Sequence, residues 1–259
     1  MTDDCLTLLE YETRNLEIPS YAISHDFLDT PDEACLTQAL AGKLATHGKL
    51  FAQARVFMPG QTAAISMIER HRFSFVETTL APTIVLGKNK IFHAFRDDPR
   101  PFVPRRFDPA DLKLTFLDRT DADACEMLKQ IAAESFVKDR FHTDPNCPPG
   151  LADRRFVFWV EDLLQSDAVF QLQRYRDEVI GFMARKDEHL ILAGFSRKYA
   201  GSGLGDFLWL SVLASMHDDG MTQVDTQIST NNLPVLNLYV RLGFKFKDQT
   251  ALFHFWSTP

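Results

Sequence analysis

The spacing of apolar residues changes character several times along the chain. LFAQARVFM (50–58) is an apolar-rich run of strand length, TAAISMIERHRF (62–73) reads as a helix, and FSFVETTLAPTIVL (73–86) reads as one or two strands. Further on, the pattern predicts helices over 121–137 and 153–165 and strands over 168–175, 178–185 and 189–195. A glycine-rich turn, a helix over 203–218, a strand over 222–228, a helix over 233–242 and a strand over 244–256 follow. Strands and helices alternating in this way predict an α/β or α+β fold, a sheet with helices packed over it.

Pro99, Pro101, Pro104 and Pro109 punctuate FRDDPRPFVPRRFDPADL, together with Arg96, Arg100, Arg105 and Arg106. Proline neither donates to a ladder nor continues a helix, so this stretch reads as an exposed linker with a solvated arginine cluster. It predicts a smaller unit over 1–98, a linker over 99–111 and a second unit over 112–259. HTDPNCPPGLADR (142–154) reads as a further loop. ISMIERHRFSFVETT (65–79) aligns with LNLYVRLGFKFKDQT (236–250) at an offset of 171. Arg70 then matches Arg241, Phe73 matches Phe244, Phe75 matches Phe246 and Thr79 matches Thr250, while Glu77 faces Asp248. Ile68 stands opposite Tyr239, and Arg72 opposite Gly243. The pattern fits two copies of one fold with chemistry kept in the second, or two helix–turn–strand units of similar amphipathicity.

Composition narrows the class. With 45% hydrophobic residues among 259, the chain has the material for packed cores, which excludes wholesale disorder. A net charge of −7 argues against a general nucleic-acid binder, which needs a basic face. A small phosphorylated ligand stays compatible, because a few arginines and backbone N–H groups suffice for it. Cys5, Cys35, Cys125 and Cys147 form no CxxC pair and match neither a zinc site nor a disulfide framework, so reduced thiols and no metal are expected. The acidic opening MTDDCLTLLEYE is unlike a signal peptide, and no apolar run approaches the roughly 20 residues of a membrane span. A soluble, cytoplasmic protein without a membrane partner is the expectation.

LILAGFSRKYAGSGLGDFLWL carries the most specific chemistry. A strand ending at Phe195 feeds a turn with Gly201, Gly203 and Gly205, then a helix with Leu204, Phe207, Leu208 and Val212 on its apolar side. Glycine permits positive φ and close approach of backbone to a ligand, and the N–H groups at a helix start favour an anion, so the turn points to a diphosphate. It fits neither a Rossmann fingerprint, for which Asp225 is a loose acidic candidate, nor a Walker loop, since no GK[ST] follows. In STNNLPVLNLYVRLGFKF, Asn231 or Asn232 can cap a helix, Pro234 suits its first turn and Gly243 its left-handed end. Leu236, Tyr239 and Val240 share one face of that helix.

YAGSGLGDFL resembles the acyl-CoA-binding motif, [QR]-x-x-G-x-[GA], of the GNAT superfamily of N-acyltransferases, and NLPVLNLYVRLGF resembles its second signature, Asn-x-x-Ala-x-x-Leu-Tyr ending in Gly-Phe. Ala200 stands at the usual Gln/Arg position and Val235 at the usual Ala. KDRFHTDP, ADRRFVFWVEDLL, DEVIGFMARK and VDTQISTNN resemble the branch that acylates dTDP-linked amino-deoxy sugars, of the TDP-fucosamine acetyltransferase type. The resemblance implies a GNAT fold, a mixed and mostly antiparallel twisted sheet with flanking helices, preceded by a smaller degenerate GNAT-like domain. It implies direct acyl transfer from acyl-CoA to a nucleotide-sugar amine in lipopolysaccharide or O-antigen biosynthesis, with no covalent enzyme intermediate.

On that resemblance, Ala193, Gly194 and Phe195 offer backbone groups to the pantetheine and the thioester, and Ala200, Gly201, Ser202, Gly203, Leu204 and Gly205 hold the diphosphate. Asn232 bonds CoA, and Tyr239 protonates the departing thiolate. A base must take the amine's proton; His142, His189 and Asp144 are the candidates, with His142 first. Arg140, Arg154 and Arg155 flank the 142–154 loop and suit bidentate pairing with phosphates. Phe141 or Trp159 could stack on a base, Trp159 being the safer core residue, and Gln227 could reach sugar hydroxyls. A peptide or small-molecule amine as acceptor, a non-catalytic acyl-CoA-binding regulator, and a homodimer stay open.

Overall fold

Runs of β-branched and aromatic residues broken by turn residues give 11 strands among the described residues, joined in one sheet. The structure, a computed structural model, describes residues 5–136, 139–148 and 150–257; residue 137 of the predicted helix and residue 149 of the predicted loop lie outside them. The first half contains β1 (Leu6–Leu8), α1 (Glu10–Leu16), β2 (Ser20–Ile23), α2 (His25–Asp29), α3 (Glu33–His47), β3 (Phe51–Met58), α4 (Thr62–Arg70), β4 (Ser74–Val85) and α5 (Lys90–Asp97). Then come β5 (Leu112–Phe116), α6 (Ala122–Ser135), α7 (Arg140–Thr143), α8 (Leu151–Gln165), β6 (Val169–Tyr175), β7 (Glu178–Lys186) and β8 (His189–Phe195). The chain ends with α9 (Gly205–Asp218), β9 (Gln223–Thr226), β10 (Ile228–Ser229), α10 (Leu233–Leu242) and β11 (Lys245–Trp256).

The strand order is β1-β2-β3-β11-β4-β9-β8-β7-β6-β5, with β10 pairing β4. Among the described residues only β2–β3 and β8–β9 are parallel pairs. The sheet is therefore mixed and mostly antiparallel, with helices on its faces. Residues of β7 bury into two different cores, and a β-bulge at Ile180, between the Gln173↔Gly181 and Arg174↔Val179 pairs, shifts the alternation along the strand. Ile180 and Met183 pack with α9 and α10, whereas Phe182 and Ala184 pack under α6 and α8.

The order of the central strands is the unexpected feature. β4, from the first half, pairs with β9 at Thr83↔Asp225, Ile84↔Val224 and Val85↔Gln223. β11, the last strand of the chain, crosses back to pair β3 from Trp256↔Phe51 to Gln249↔Met58, and lies against β4 on its other edge. Each half thus completes the other's sheet. The offset of 171 seen in the sequence carries Ser74–Val85 onto Lys245–Trp256, the bounds of β11. The same offset brings α4 onto α10 and α3 onto α9 to within one residue at each end.

The proline-rich stretch is not an exposed linker. Val103 is buried, and Phe102 and Phe107 pack against the core between α9 and the sheet. Pro104 lies against Gly203, where an added Cβ would come within 3.1 Å of its ring. Arg106 donates to the carbonyl of Ser202 at 2.7 Å, while Arg96 pairs with Asp218 and Arg100 with Asp98. Apolar residues spaced between the prolines pull the segment down onto the glycine turn. Among the described residues no helix is long and apolar enough to cross a membrane.

Strand exchange makes a direct prediction. A fragment spanning 112–259 carries β11 without its partners β3 and β4, and β9 without β4. Expressed alone it should show no cooperative thermal unfolding, and co-expression with a 1–111 fragment should restore a single transition. A cooperative transition in the isolated fragment would contradict the exchange.

Candidate active site

β8 and β9 run together for only two rungs, His189↔Asp225 and Leu190↔Thr226. The Thr226 hydroxyl donates to the Leu190 carbonyl at 2.8 Å, at the point where the strands part. The chain then leaves β8: β10 pairs with β4 at Ile228↔Leu80 and Ser229↔Thr79. From Ile191 to Phe195, β8 keeps β7 on one edge and has an open edge on the other. The opening is a cavity of about 230 Å³, with Ile191 and Ala193 on one wall and Gln227, Ser229 and Asn232 on the other.

One end of the site is built around the glycine turn. Gly201 and Gly203 have φ of 69° and 87°. A Cβ on Gly205 would lie 2.6 Å from Leu238 Cδ1, so this glycine lets α9 and α10 pack closely. Leu204, at the N-cap of α9, provides no side-chain cap, which leaves first-turn N–H groups for solvent or an anion. The equivalent helix of the first half, α3, starts differently: the Asp32 carboxylate accepts from the N–H groups of Ala34 and Cys35. Ala200 is exposed; Gly194 is buried under Ile131 and Ser135 of α6, and the Phe195 carbonyl accepts from the Ser135 hydroxyl at 2.8 Å.

Of the two candidate caps, Asn232 caps α10, its side chain accepting from Val235 N at 3.4 Å, and Gly243 ends the helix at φ 81°. Two turns in, Tyr239 reaches the cavity wall at 4% exposure, its ring 4.7 Å from Phe244 and 6.3 Å from Trp209. Burial pushes the phenol's pKa up, and the Trp209 and Thr226 side chains draw it only partly back. Near neutral pH the group therefore keeps its proton, as an acid must.

Three arginines reach the other end: Arg55 of β3, Arg140 of α7 and Arg155 of α8. Arg140 donates to Glu12 Oε1 at 2.5 Å and also to Gln53. Arg155 donates to Glu12 at 3.0 Å and 3.2 Å. Burial alone would raise the Glu12 carboxyl; Arg140 and Arg155 outweigh it and hold the group below the ordinary range. Burial brings Arg140 itself down to about 10. Phe156 stacks on Phe136 at 4.2 Å, and Trp159, expected in the core, lines the cavity beside them.

Several expected residues fall elsewhere. Arg154 turns away to pair with Glu17 and the Asn15 carbonyl, because neighbours on a helix point about 100° apart and cannot share a face. Phe141 is 1% exposed, packed against Phe51 and His254, and is core rather than cavity wall. His142 has both ring nitrogens engaged, Nδ1 by Asp139 and Nε2 by Asp153 at 3.0 Å. Burial would lower its pKa, but those two carboxylates raise it overall, and His142 is not among the residues that line the cavity. His189 pairs with Asp225 at the surface. Asp144 accepts from His254 at 2.7 Å and from the Trp256 indole at 2.6 Å, in a buried cluster away from the cavity wall.

The residue that the sequence did not flag as chemical is Glu77. It sits mid-strand in β4, 6% exposed, on the cavity wall, and accepts from the Ser229 hydroxyl at 2.5 Å. Burial pushes its pKa up, and Ser229 and Arg140 bring it only partly back. A carboxyl held above its ordinary range in a cleft binds a proton more tightly than a free one, as a group that takes up protons should.

No family model matches the chain. Among solved structures it is similar to a GCN5-related N-acetyltransferase from Sphaerobacter thermophilus, at 13% identity over 98% of this chain and 76% of that one, with a TM-score of 0.62. It is also similar to a tandem GNAT protein from the clavulanic acid biosynthesis pathway, at 13% identity over 93% and 76% of the two chains, with a TM-score of 0.61. The chain thus has the fold of the GCN5-related N-acetyltransferases. A curated relative, the spore coat polysaccharide biosynthesis protein SpsD of Bacillus subtilis (strain 168), is 24% identical over 136 residues; the match spans 51% of this chain and 47% of that protein.

The buried cluster behind the cavity predicts a pH dependence. Burial holds His254 down to about 4 from 6.5, against the pull of Asp144. The folded state refuses a proton that the unfolded chain accepts, so the contribution is complete above pH 6.5 and is lost as pH falls toward about 4. The loss should total on the order of 3 kcal/mol. Urea unfolding across this window should show that decline, and His254→Gln should flatten it.

Proposed function

We propose that this chain is an acyl-CoA-dependent N-acyltransferase whose acceptor is the amine of a nucleotide-linked amino-deoxy sugar. The observation that carries the reading is the two-rung β8–β9 pair, opening onto a cavity that holds a buried phenol and a raised carboxyl beside an uncapped glycine-rich helix start. The residues present suit acyl-CoA. The 201–205 turn offers N–H groups to a diphosphate, and the open edge of Ala193–Phe195 offers backbone groups to pantetheine amides. Asn232 faces the same opening.

Glu77 takes the proton from the sugar ammonium. The neutral nitrogen attacks the thioester carbonyl, the C–N bond forms, the C–S bond breaks, Tyr239 gives its proton to the leaving sulfur, and the second proton shed by the nitrogen returns the phenolate to phenol. No enzyme nucleophile is required. The sugar acceptor is supported by the aromatic wall of Phe156 and Trp159 beside arginines, a combination suited to a base and phosphates. The partial match to a polysaccharide biosynthesis protein points the same way. Residues 1–98 then form a degenerate copy and 112–259 the catalytic one: Asp32 fills the anion position, and Ile68 and Gln61 stand where the second copy has Tyr239 and Asn232.

Tyr239→Phe should lower kcat by about 10²- to 10⁴-fold and leave the acyl-CoA Kd within about twofold. Unchanged turnover would remove the acid assignment. The kcat/KM of the wild type should rise with pH as Glu77 ionises, and Glu77→Gln should lose that rise along with most of the rate; an unaltered pH profile in the variant would exclude Glu77 as the base.

A further inference from the structure

The three arginines on the cavity wall are not equivalent. Arg140 and Arg155 are buried, and both are committed to Glu12. Breaking a buried pair leaves an uncompensated charge, so neither can be released cheaply to a ligand. Arg55 is exposed to the cavity and makes no hydrogen bond or ion pair among the described residues. Enclosure by the cavity walls and, after it, the Arg155 charge act against its charged form, and Glu12 and Glu77 offset this only through space.

Register places Arg55 in relation to the chemistry. Arg55 pairs with Leu252 across β3–β11, and Leu252 pairs with Glu77 across β11–β4. All three line the cavity, so they form one rung on its floor. Two strand spacings separate the ends of that rung, roughly 10 Å at the backbone. A molecule whose amine meets Glu77 therefore presents its far side to an unpaired guanidinium. One sugar ring with a phosphate group on the side opposite its amine has that span.

Resting on the acyltransferase reading above, we propose that Arg55, a residue of the first half, is the specificity determinant that binds the anionic phosphate group of the acceptor, while Arg140 and Arg155 serve as the buried support behind it. Guanidinium suits this role because it pairs bidentately with phosphate oxygens and stays charged throughout.

Two measurements test it on the full-length protein. First, the CoA-saturated wild type and Arg55→Met are titrated calorimetrically with inorganic pyrophosphate, CoA blocking the glycine turn. The wild type should bind and the variant should bind about 10- to 100-fold more weakly, the loss expected for a charge-assisted pair. Equal affinity, or no binding to the wild type, overturns the proposal. Second, kcat/KM is compared for a dTDP-linked amino-deoxy sugar and for the same amino sugar without its nucleotide. The preference for the linked acceptor should shrink in Arg55→Met through KM, partly recover in Arg55→Lys, and leave the KM for acyl-CoA unaltered. A preference of the same size in wild type and Arg55→Met overturns the proposal and leaves the acyltransferase reading standing. Arg55-dependent pyrophosphate binding without acylation of either sugar overturns the amino-sugar acceptor and leaves the anion site standing.

Discussion

The structure turns on the insertion of β4 beside β9. Three rungs, Thr83↔Asp225 to Val85↔Gln223, hold a strand of the first half where the second half has no strand of its own to place. Because β4 is there, β10 has a partner other than β8, and the β8–β9 pair can open after two rungs with its backbone groups still satisfied on the far side. The cavity exists for that reason. Two residues of its floor, Glu77 and Arg55, belong to the half of the chain without the 201–205 glycine turn, and Leu252 between them belongs to the other half.

The two halves share a plan and differ at the places where chemistry would occur. Each has a parallel strand pair, a helix leading from it, and a helix–strand unit that is exchanged. In the first half the helix start is closed by the Asp32 carboxylate, which satisfies N–H groups that a phosphate would otherwise need. Gln61, at the N-cap of α4, is 3% exposed and tied to Asp29 and the Phe57 backbone. Ile68 is fully buried in place of a phenol. Three local differences thus give the first half a packed end where the second half has an open one, on the same backbone plan.

Much of the second half was legible because its signals are local. The glycine turn, the Asn232 cap, Pro234 and Gly243 each act within a few residues, so α9, α10 and their flanking strands follow from the chain itself. The offset of 171 was legible for the same reason. Strand exchange was not, since nothing in β11 states whether it pairs with β9 or with β3; that choice is made by long-range packing. The arginine end of the cavity is hidden for a related cause. Arg154 and Arg155 are chemically identical and adjacent, and only the rotation of α8 decides which faces the cavity. Glu77 and Arg55 escaped notice because a single charged residue in a strand has no local pattern, and their partnership runs through Leu252, 175 residues beyond Glu77 in the chain. In the proline-rich stretch the prolines and arginines outnumber Phe102, Val103 and Phe107, so its composition reads as solvated, while those three apolar residues decide where it lies.

The run of rungs across the middle of the sheet also restricts motion. β11 pairs with β3 over residues 249–256 on one edge and with β4 over residues 245–254 on the other, so no smooth surface separates the halves. Clamshell closure about a flexible hinge, the common way for a bilobed enzyme to admit one reactant and shut out water, would have to tear that ladder. Entry and exit are left to side chains and to the short connections around the cavity mouth, and the rhythm of turnover would be set by those small movements rather than by rigid-body swings.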